Sequence, residues 1–500
     1  MKFTHLYLLV HLFASTNAAD LGHQKDNLPL PRDGTKCQQA CEILASEFPG
    51  RLHYDDSDSN FTIWDQKQLE TIYVCRVEPA SADDVSNVLR VLVDNWCRFA
   101  VKFGGHSRFP DDSVSVGGVT IDLGLINNTV VSEDRTTARI GGGSLTRQVF
   151  AALDPYGLAY VGGRVGQVGM GGFTLGGGTS VLAAKYGWAL DQVLEYEVVL
   201  PNATIVTASE CSHPDLYYAL RGGGNNYGIV TSFNVSVFPQ RPVYVGSRTF
   251  PDAQTGRFLE EAEKIFLIQD YEDTNIGLEY RYAYSAQNGW TMSSTQRYAE
   301  PVMNPPVFDA LNSIPALGNL TAGINSLANS TRFSGPLGVT RNLFTTLTHY
   351  PSVELGKKGL EILKSKVEGA NLTSLNPQLI TYSIPATTME MSKARGGNAL
   401  GLGVEGHLVI NLLSLSWTTS ALDNAAYALA DDFIEDFRDA AESLNAFHPF
   451  IYINYANKGQ DVFAGYGKGN HRRLVKIQQT IDPRGVFTST GLWTGFFKIR

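Results

Sequence analysis

The chain has 500 residues, of which 43% are hydrophobic and 18% are charged, and its formal net charge is −9. At roughly 100–200 residues per domain, this length predicts two to four domains with large hydrophobic cores. The sequence has no block or stripe of Lys and Arg, which excludes a typical nucleic-acid-binding protein.

The N-terminus has the pattern of a secretory signal peptide. Lys2 precedes an apolar run, Leu6 to Ala14, and the small residues that follow predict cleavage after Ala18. A buried N-terminal strand or helix is the alternative. The run is too short to span a membrane and no later stretch reaches about 18 apolar residues, so we expect no membrane anchor.

Sequons and cysteines also indicate the secretory route. The N-x-S/T sequons begin at Asn60, Asn127, Asn202, Asn234, Asn319, Asn329 and Asn371. Four of the five cysteines lie in the first hundred residues, where disulfide bonds are expected in an oxidising compartment. The sequence does not fix their pairing; a bond from Cys97 to Cys37 or Cys41 is the preferred one. No His cluster accompanies them to suggest zinc.

Helices and short strands alternate along the first half of the chain, which predicts an α+β or α/β fold. The helix expected from Ser81 to Asn95 has the clearest signals, because Ser81 can cap it, two acidic residues follow in the first turn, and its apolar residues share a face. The other helices are expected over 37–48, 145–153 and 215–220, and strands over 71–78, 99–103, 120–123 and 138–140.

The dense glycine segments are the strongest indication of a ligand-binding site in the sequence. Nine of the seventeen residues from Gly162 to Gly178 are glycine. A flexible linker is the alternative, but apolar residues interleave the glycines and the segment has no serine-rich low complexity. Such a tract permits close backbone approach to a flat or charged ligand. A second tract follows at 221–233.

The glycine spacings match neither the nicotinamide-binding G-x-G-x-x-G pattern nor the phosphate-binding P-loop. Long glycine tracts suit a larger and flatter cofactor. The sequence also presents His106 directly after Gly104 and Gly105, at the end of the strand expected over 99–103.

Nine sequence blocks carry a specific resemblance. They are F-G-G-H-S at 103–107, T-I-D-L at 120–123, G-G-G-S at 141–144, D-P-Y-G-L at 154–158, the tract at 162–178, L-R-G-G-G-N-N-Y-G-I-V-T at 220–231, Y-I-N-Y-A-N at 452–457, Y-G-K-G-N-H-R-R-L at 466–474 and I-D-P-R-G-V-F at 481–487. In these blocks the chain resembles flavoproteins of the vanillyl-alcohol-oxidase/p-cresol-methylhydroxylase superfamily, in the berberine-bridge-enzyme-like branch. It looks most like the secreted fungal members that serve secondary metabolism.

The resemblance implies an α+β fold in which a two-lobed FAD-binding domain carries an inserted antiparallel-sheet substrate domain and is completed by the C-terminus. The expected units are a signal peptide (1–18), an N-terminal segment (19–64), the FAD-binding domain (65–245), the substrate domain (246–449) and the C-terminal segment (450–500). Residues 277–300 and 402–417 have strand-like patterns, and 301–335 is interpreted as loop.

The resemblance also assigns the cofactor contacts. It implies a covalent bond from the His106 ring to the 8α-methyl group of FAD, with Gly104 and Gly105 leaving room for the imidazole. Many relatives have a second link through a cysteine, but Val165 occupies that position, so a single link is predicted. The expected cofactor-binding residues are His106, Gly104, Gly105, Ser107, Val165, Gly169, Gly171, Gly172, Gly176, Gly177, Gly228, Ile229, Val230, Asn454 and Asn470.

The candidate catalytic residues are Tyr452 and Tyr455, whose phenols can exchange protons if they are positioned for it. Buried core tyrosines are the alternative. Relatives often place a glutamate base where this chain has Leu412. His407 and Glu405 are weaker candidates, and Asn454 is expected to face away from Tyr452.

The resulting interpretation is a secreted, FAD-linked oxidase that transfers a hydride from a small secondary metabolite and reduces O2 to H2O2. A carbohydrate oxidase and a flavin-dependent oxidative cyclase are the alternatives within enzymes, and a flavin-binding storage protein is the alternative outside them.

Overall fold

The computed structural model describes residues 34–54, 61–331, 337–403 and 405–500. The predicted signal peptide, 1–18, and the sequon at Asn60 lie outside these residues. Within the described part of the chain, no helix is both long enough and apolar enough to cross a membrane.

The helices are distributed along the whole described chain. They are α1 (Gly34–Glu47), α2 (Gln66–Leu69), α3 (Ala82–Asp94), α4 (Thr146–Leu153), α5 (Met170–Leu175), α6 (Ala183–Tyr186), α7 (Pro214–Leu220), α8 (Thr255–Tyr271), α9 (Asp309–Asn312), α10 (Leu327–Ser330), α11 (Val353–Gly369), α12 (Ala386–Ala394), α13 (Asp423–Ser443) and α14 (Lys468–Ile481).

The strands form three main sheets. They are β1 (Leu52–His53), β2 (Cys75–Val77), β3 (Phe99–Lys102), β4 (Val119–Asp122), β5 (Thr129–Val131), β6 (Thr137–Gly141), β7 (Leu158–Ala159), β8 (Val193–Val199), β9 (Ile205–Ser209), β10 (Ile229–Ser236), β11 (Phe238–Pro239), β12 (Val243–Pro251), β13 (Ile276–Ser285), β14 (Gly289–Tyr298), β15 (Thr321–Asn325), β16 (Arg341–His349), β17 (Gln378–Ile384), β18 (Leu408–Trp417) and β19 (Phe447–His448).

The first lobe is a four-stranded sheet in the order β1-β2-β4-β3, with β4 parallel to both of its neighbours. The predicted cap of α3 is confirmed, since Ser81 Oγ accepts a hydrogen bond from the N–H of Asp84. Two disulfides, Cys37–Cys97 and Cys41–Cys75, fasten α1 to this lobe. The preferred Cys97 pairing is therefore confirmed with Cys37 as partner, and Cys211 is a free, exposed thiol.

The second lobe is an antiparallel five-stranded sheet in the order β5-β6-β10-β8-β9. The C-terminus returns to the first lobe, where the N–H of Phe99 donates to Leu492 O and the N–H of Thr494 donates to Phe99 O. The same large hydrophobic core contains buried residues of both lobes and of the C-terminal segment, including Val119, Phe233 and Phe487.

The third sheet has eight strands in the order β15-β12-β14-β13-β17-β18-β16-β19 and is antiparallel. The segment 301–335, interpreted as loop, contributes β15, which pairs with β12. Along β18 the side chains alternate: Val409 and Leu413 pack in a second core with α8, α11 and α13, whereas Leu408 and Ile410 pack in the core of the first two lobes. One face of this sheet therefore lies toward the glycine-rich segments.

Candidate active site

The loop that presents His106 is held by close backbone packing. A Cβ atom added to Gly104 would approach Gly169 N to 2.6 Å, and Gly105 has a φ of +69° that L side chains rarely adopt. Gly104 packs against the long glycine tract and Gly105 makes the turn. The expected role of these two glycines, to leave room for the imidazole beside the cofactor, stays a prediction.

His106 lies half-buried against an aromatic ring. Its imidazole stacks on Trp64 with 4.1 Å between ring centroids and 9° between the planes. The backbone N–H of Trp64 donates to Gly105 O at 3.0 Å, which fixes the tryptophan beside the loop. Burial lowers the pKa of His106 to about 4, so the imidazole is neutral at physiological pH.

The residues after His106 join this loop to the C-terminal segment. Ser107 Oγ donates to Asp112, and the Arg108 guanidinium donates to the carbonyl oxygens of Asn454 at 3.1 Å and Ala456 at 2.6 Å. The turn containing Tyr452 and Tyr455 is thus tied directly to the His106 loop.

Tyr452 is fully buried and fixes the end of the long glycine tract. Its hydroxyl oxygen accepts hydrogen bonds from the N–H groups of Gly178 and Thr179, both at 3.0 Å, and from Asn454 Nδ2 at 2.9 Å. Burial raises the pKa of Tyr452 above its usual value. The expectation that Asn454 faces away from Tyr452 was wrong, because residues 452–455 form a turn rather than a strand.

A row of aromatic rings extends from His106 to the eight-stranded sheet. We call Trp64, Phe344, Tyr455 and Tyr382 the aromatic row. Successive ring centroids are separated by 5.8 Å (Trp64 to Phe344), 6.3 Å (Phe344 to Tyr455) and 5.6 Å (Tyr455 to Tyr382). The row joins the loop that holds His106, the C-terminal turn and strands β16 and β17.

The two tyrosines at the far end of the row are stacked beside a guanidinium. Arg164 lies over the ring of Tyr382, 4.7 Å from its centroid. Burial, followed by the charge of Glu279, raises the pKa of Tyr382 to about 12, against the opposing charge of Arg164. Burial raises the pKa of Tyr455 well above its usual value.

The strand position at which relatives often have a glutamate faces this row. Leu412 of β18 packs with Ile380, Tyr382, Phe344 and Tyr455, so the position offers an apolar contact rather than a base. Asn411 faces the other side of the sheet, where it bonds to His349 and Thr381.

The glycine-rich segments fit a polar cofactor. Four buried polar atoms on or beside them have no hydrogen-bond partner among the described residues: Ser144 Oγ, Gln167 Oε1, Thr174 Oγ1 and Asn225 Oδ1. Buried polar atoms are normally paired, so these are the partners that the polar groups of FAD would need. A Cβ atom added to Gly172 would meet no other atom within 4 Å, so there is open space beside this residue.

The other predicted cofactor residues have varied surroundings, and their role stays a prediction. Added Cβ atoms would press Gly171 against Phe103, Gly176 against Ile453 and Gly177 against Tyr452, and Val165 is partly exposed. Gly228 has a φ of +143° and leads into β10, where Ile229 and Val230 pair with β8. Asn470 on α14 accepts a hydrogen bond from Tyr218 and donates one to Tyr466 O.

Four residues of this site were not predicted from the sequence. Trp64 precedes the motifs, Phe344 and Tyr382 lie on strands β16 and β17 that were not predicted, and Arg164 lies inside the long glycine tract but was not assigned a role. Of the four, Arg164 could have been identified from the sequence, since it is the one charged residue between Gly162 and Gly178.

Comparisons with known proteins agree with this architecture. A family model described as FAD binding domain matches residues 74–209, and one described as berberine and berberine like matches residues 451–490. The FAD-dependent monooxygenase tpcD of Cochliobolus heterostrophus is 32% identical, over 91% of this chain and 93% of its own length.

Two solved structures show the same fold. The 6-hydroxy-D-nicotine oxidase of Arthrobacter nicotinovorans has a TM-score of 0.74 at 20% identity, over 91% of this chain and 98% of its own. The glucooligosaccharide oxidase of Acremonium strictum, described with a 6-S-cysteinyl, 8α-N1-histidyl FAD, has a TM-score of 0.73 at 18% identity, over 93% and 99%. The chain belongs to the berberine-bridge-enzyme-like family of FAD-dependent oxidoreductases, within the vanillyl-alcohol-oxidase/p-cresol-methylhydroxylase superfamily.

Proposed function

We propose that this FAD-dependent oxidoreductase oxidises a small aromatic or apolar metabolite, with FAD attached through His106. The observation that carries the proposal is the aromatic row, which runs from the His106 imidazole to the hydroxyl pair of Tyr455 and Tyr382. Bound FAD would supply the ability to accept a hydride from the substrate and to pass the electron pair to O2. The proposed domain limits are 65–245, 246–449 and 450–500.

His106 is the proposed attachment residue, and its surroundings suit that role. Its imidazole is neutral, so a ring nitrogen has a free lone pair with which to form a bond. Stacking on Trp64 holds the ring in one orientation. The glucooligosaccharide oxidase of Acremonium strictum is described with a histidyl link to FAD. Val165 in place of a cysteine leaves a single link here.

Tyr455 and Tyr382 are the proposed proton-transfer residues. A substrate hydroxyl placed against this pair would give its proton to the ionised form of Tyr382 as the adjacent C–H bond is broken, which leaves Tyr382 as a neutral phenol. Arg164, over the Tyr382 ring, would stabilise the phenolate that is present before this transfer. Tyr452 was a candidate for the same role, but its hydroxyl accepts three N–H groups, which supports a positioning role for it.

The attachment is tested by acid precipitation of the purified protein and of the His106→Ala variant. We expect yellow colour in the wild-type pellet and in the supernatant of the variant. Yellow colour in the wild-type supernatant would contradict the covalent link. A purified protein without any flavin absorbance would contradict the proposed function as a whole.

The names of the relatives favour a second candidate reaction, monooxygenation. Several curated fungal relatives are called FAD-dependent monooxygenases. Turnover under 18O2 separates the two: an oxidase releases one equivalent of H2O2 and an unlabelled product, whereas a monooxygenase gives a labelled product.

A carbohydrate oxidase is less well supported, because the aromatic row with Leu412 and Ile380 offers a mainly apolar surface. A cyclase would reveal itself by a ring closure in the product.

We also propose that the protein follows the secretory route with N-glycans attached. Two disulfides and exposed sequon asparagines support this: Asn127, Asn202, Asn319, Asn329 and Asn371 are exposed. Treatment of the protein from its native host with a peptide N-glycosidase should lower its mass. An unchanged mass would contradict the glycan proposal.

A further inference from the structure

The aromatic row ends at a positively charged cluster. Arg164 contacts the Tyr382 ring, and its Nη1 donates to Thr179 O at 3.1 Å, which anchors the side chain to the glycine tract. The Arg164 side chain is 13% exposed, and it lines a small cavity beside the glycine tract.

The acidic group of this cluster is already paired with two cations. Glu279 lies 3.5 Å from Arg164 Nε and 3.3 Å from Arg297 Nη1. One carboxylate between two guanidiniums leaves the trio with a net positive charge. Arg164, Glu279 and Arg297 also line a cavity together with Ser180, Gln269 and Ser383, so polar groups surround the cations.

The other end of the row does not carry this excess of positive charge. Arg108 lies over the Phe344 ring, 4.5 Å from its centroid, and donates to two backbone carbonyl oxygens, but the carboxylates of Asp112 and Asp65 lie close enough to offset its charge. An electropositive surface favours anionic ligands and disfavours cationic ones. Planar guanidinium groups are also well suited to bind carboxylates with two hydrogen bonds.

We infer that the substrate is an aromatic compound bearing an acidic oxygen group, such as a carboxylate, which Arg164 binds while the aromatic row contacts the ring. The inference rests on the proposed function, since it places the substrate at the same site, and it selects an acid over an amine or a neutral sugar. Arg164 is then a specificity-determining residue.

The test compares ligands that share one ring and differ in the head group. Binding of 2-naphthoate, 2-naphthalenemethanol, 2-naphthylmethylamine and cellobiose to the purified holoenzyme is measured by titration calorimetry. We expect 2-naphthoate to bind about 10-fold or more tightly than the other three, as one charge-assisted hydrogen-bonded pair allows. Its binding should weaken as salt is added.

Three variants test whether the preference for 2-naphthoate depends on Arg164. Arg164→Gln should weaken 2-naphthoate binding about 10-fold and change that of 2-naphthalenemethanol by less than about 2-fold. Arg164→Lys should restore most of the preference, because it keeps the charge. Arg139→Gln removes an equal charge from an exposed ion pair on β6 and should have no effect.

Two results would overturn the inference: equal or tighter binding of the amine, or an equal loss of acid binding in Arg164→Gln and Arg139→Gln. Binding of 2-naphthoate, the acid, is measured without turnover. Failure of this inference is therefore distinct from failure of the proposed function, which the absorption spectrum of the same sample reports.

Discussion

The phenol side chains of Tyr382 and Tyr455 are in contact, but their surroundings differ. Tyr382 and Tyr455 are stacked, and the guanidinium of Arg164 lies over the Tyr382 ring. A positive charge stabilises a phenolate, so the Arg164 contact directs the negative charge to Tyr382. The contact that selects the substrate in our inference therefore also supports proton transfer.

Removing either hydroxyl should slow catalysis strongly. We expect Tyr382→Phe and Tyr455→Phe each to lower kcat by roughly 10²–10⁴-fold, the range for general acid–base groups. Because the pKa of Tyr382 is about 12, its ionised fraction grows with pH throughout the range 7–10, and wild-type kcat should grow with it. Tyr382→Phe should lose that slope.

Steady-state kinetics across this pH range check the prediction. The control is Tyr284→Phe, which alters a half-buried tyrosine packed on Trp290 in β14, away from the aromatic row. A slope that persists in Tyr382→Phe would assign the titration to another group.

At the scale of elements, the glycine tract combines two kinds of glycine. Gly169 and Gly104 pack backbone against backbone, whereas Gly172 faces open space. The first kind joins two segments of the protein to each other. The second kind leaves space, unfilled by protein atoms, for the cofactor.

Alanine substitutions should separate these two kinds. A Cβ atom on Gly169 would lie 2.5 Å from Gly104 N, so Gly169→Ala should lower the free energy of unfolding by at least about 1–3 kcal/mol. Gly172→Ala should leave the stability of the flavin-free protein unchanged and reduce the flavin content. Denaturant unfolding and the ratio of flavin to protein absorbance measure both effects. Equal stability losses in the two variants would contradict the distinction.

Some elements could be predicted from the sequence, whereas the contacts between distant segments could not. Helix α3 was predictable because its cap, acidic first turn and apolar face are all local signals. The orientation of Asn454 was not, because a turn brings it beside Tyr452, and Trp64 meets His106 only after distant segments have packed. Motifs located the cofactor segments, but the substrate side depends on contacts between strands far apart in sequence.

At the scale of the whole molecule, buried neutral histidines link stability to pH. His349 is the last residue of β16, where its Nε2 is hydrogen-bonded to Asn411 and its Nδ1 to the Tyr350 carbonyl oxygen. Burial lowers its pKa to about 4 from an unfolded value near 6.5. The unfolded chain therefore takes up a proton between these pH values that the folded protein does not.

Stability should consequently fall as pH decreases from 6.5 to 4. A shift of this size corresponds to about 3 kcal/mol of unfolding free energy, present in full above pH 6.5 and lost progressively toward pH 4. His349→Gln should lower stability at pH 7 but show a shallower loss between pH 6.5 and 4. Denaturant unfolding at several pH values measures this, and parallel curves for the two proteins would refute it.

The return of the C-terminus to β3 also sets the order in which the protein can be made. Phe99 is bonded to Leu492 and Thr494, so the first lobe takes some of its contacts from residues that leave the ribosome long after β3 does. The disulfide between Cys37 and Cys97 joins residues that emerge earlier and needs neither of them. The nascent chain can therefore be cross-linked before Leu492 and Thr494 are translated, whereas the complete cofactor-binding domain forms only after them.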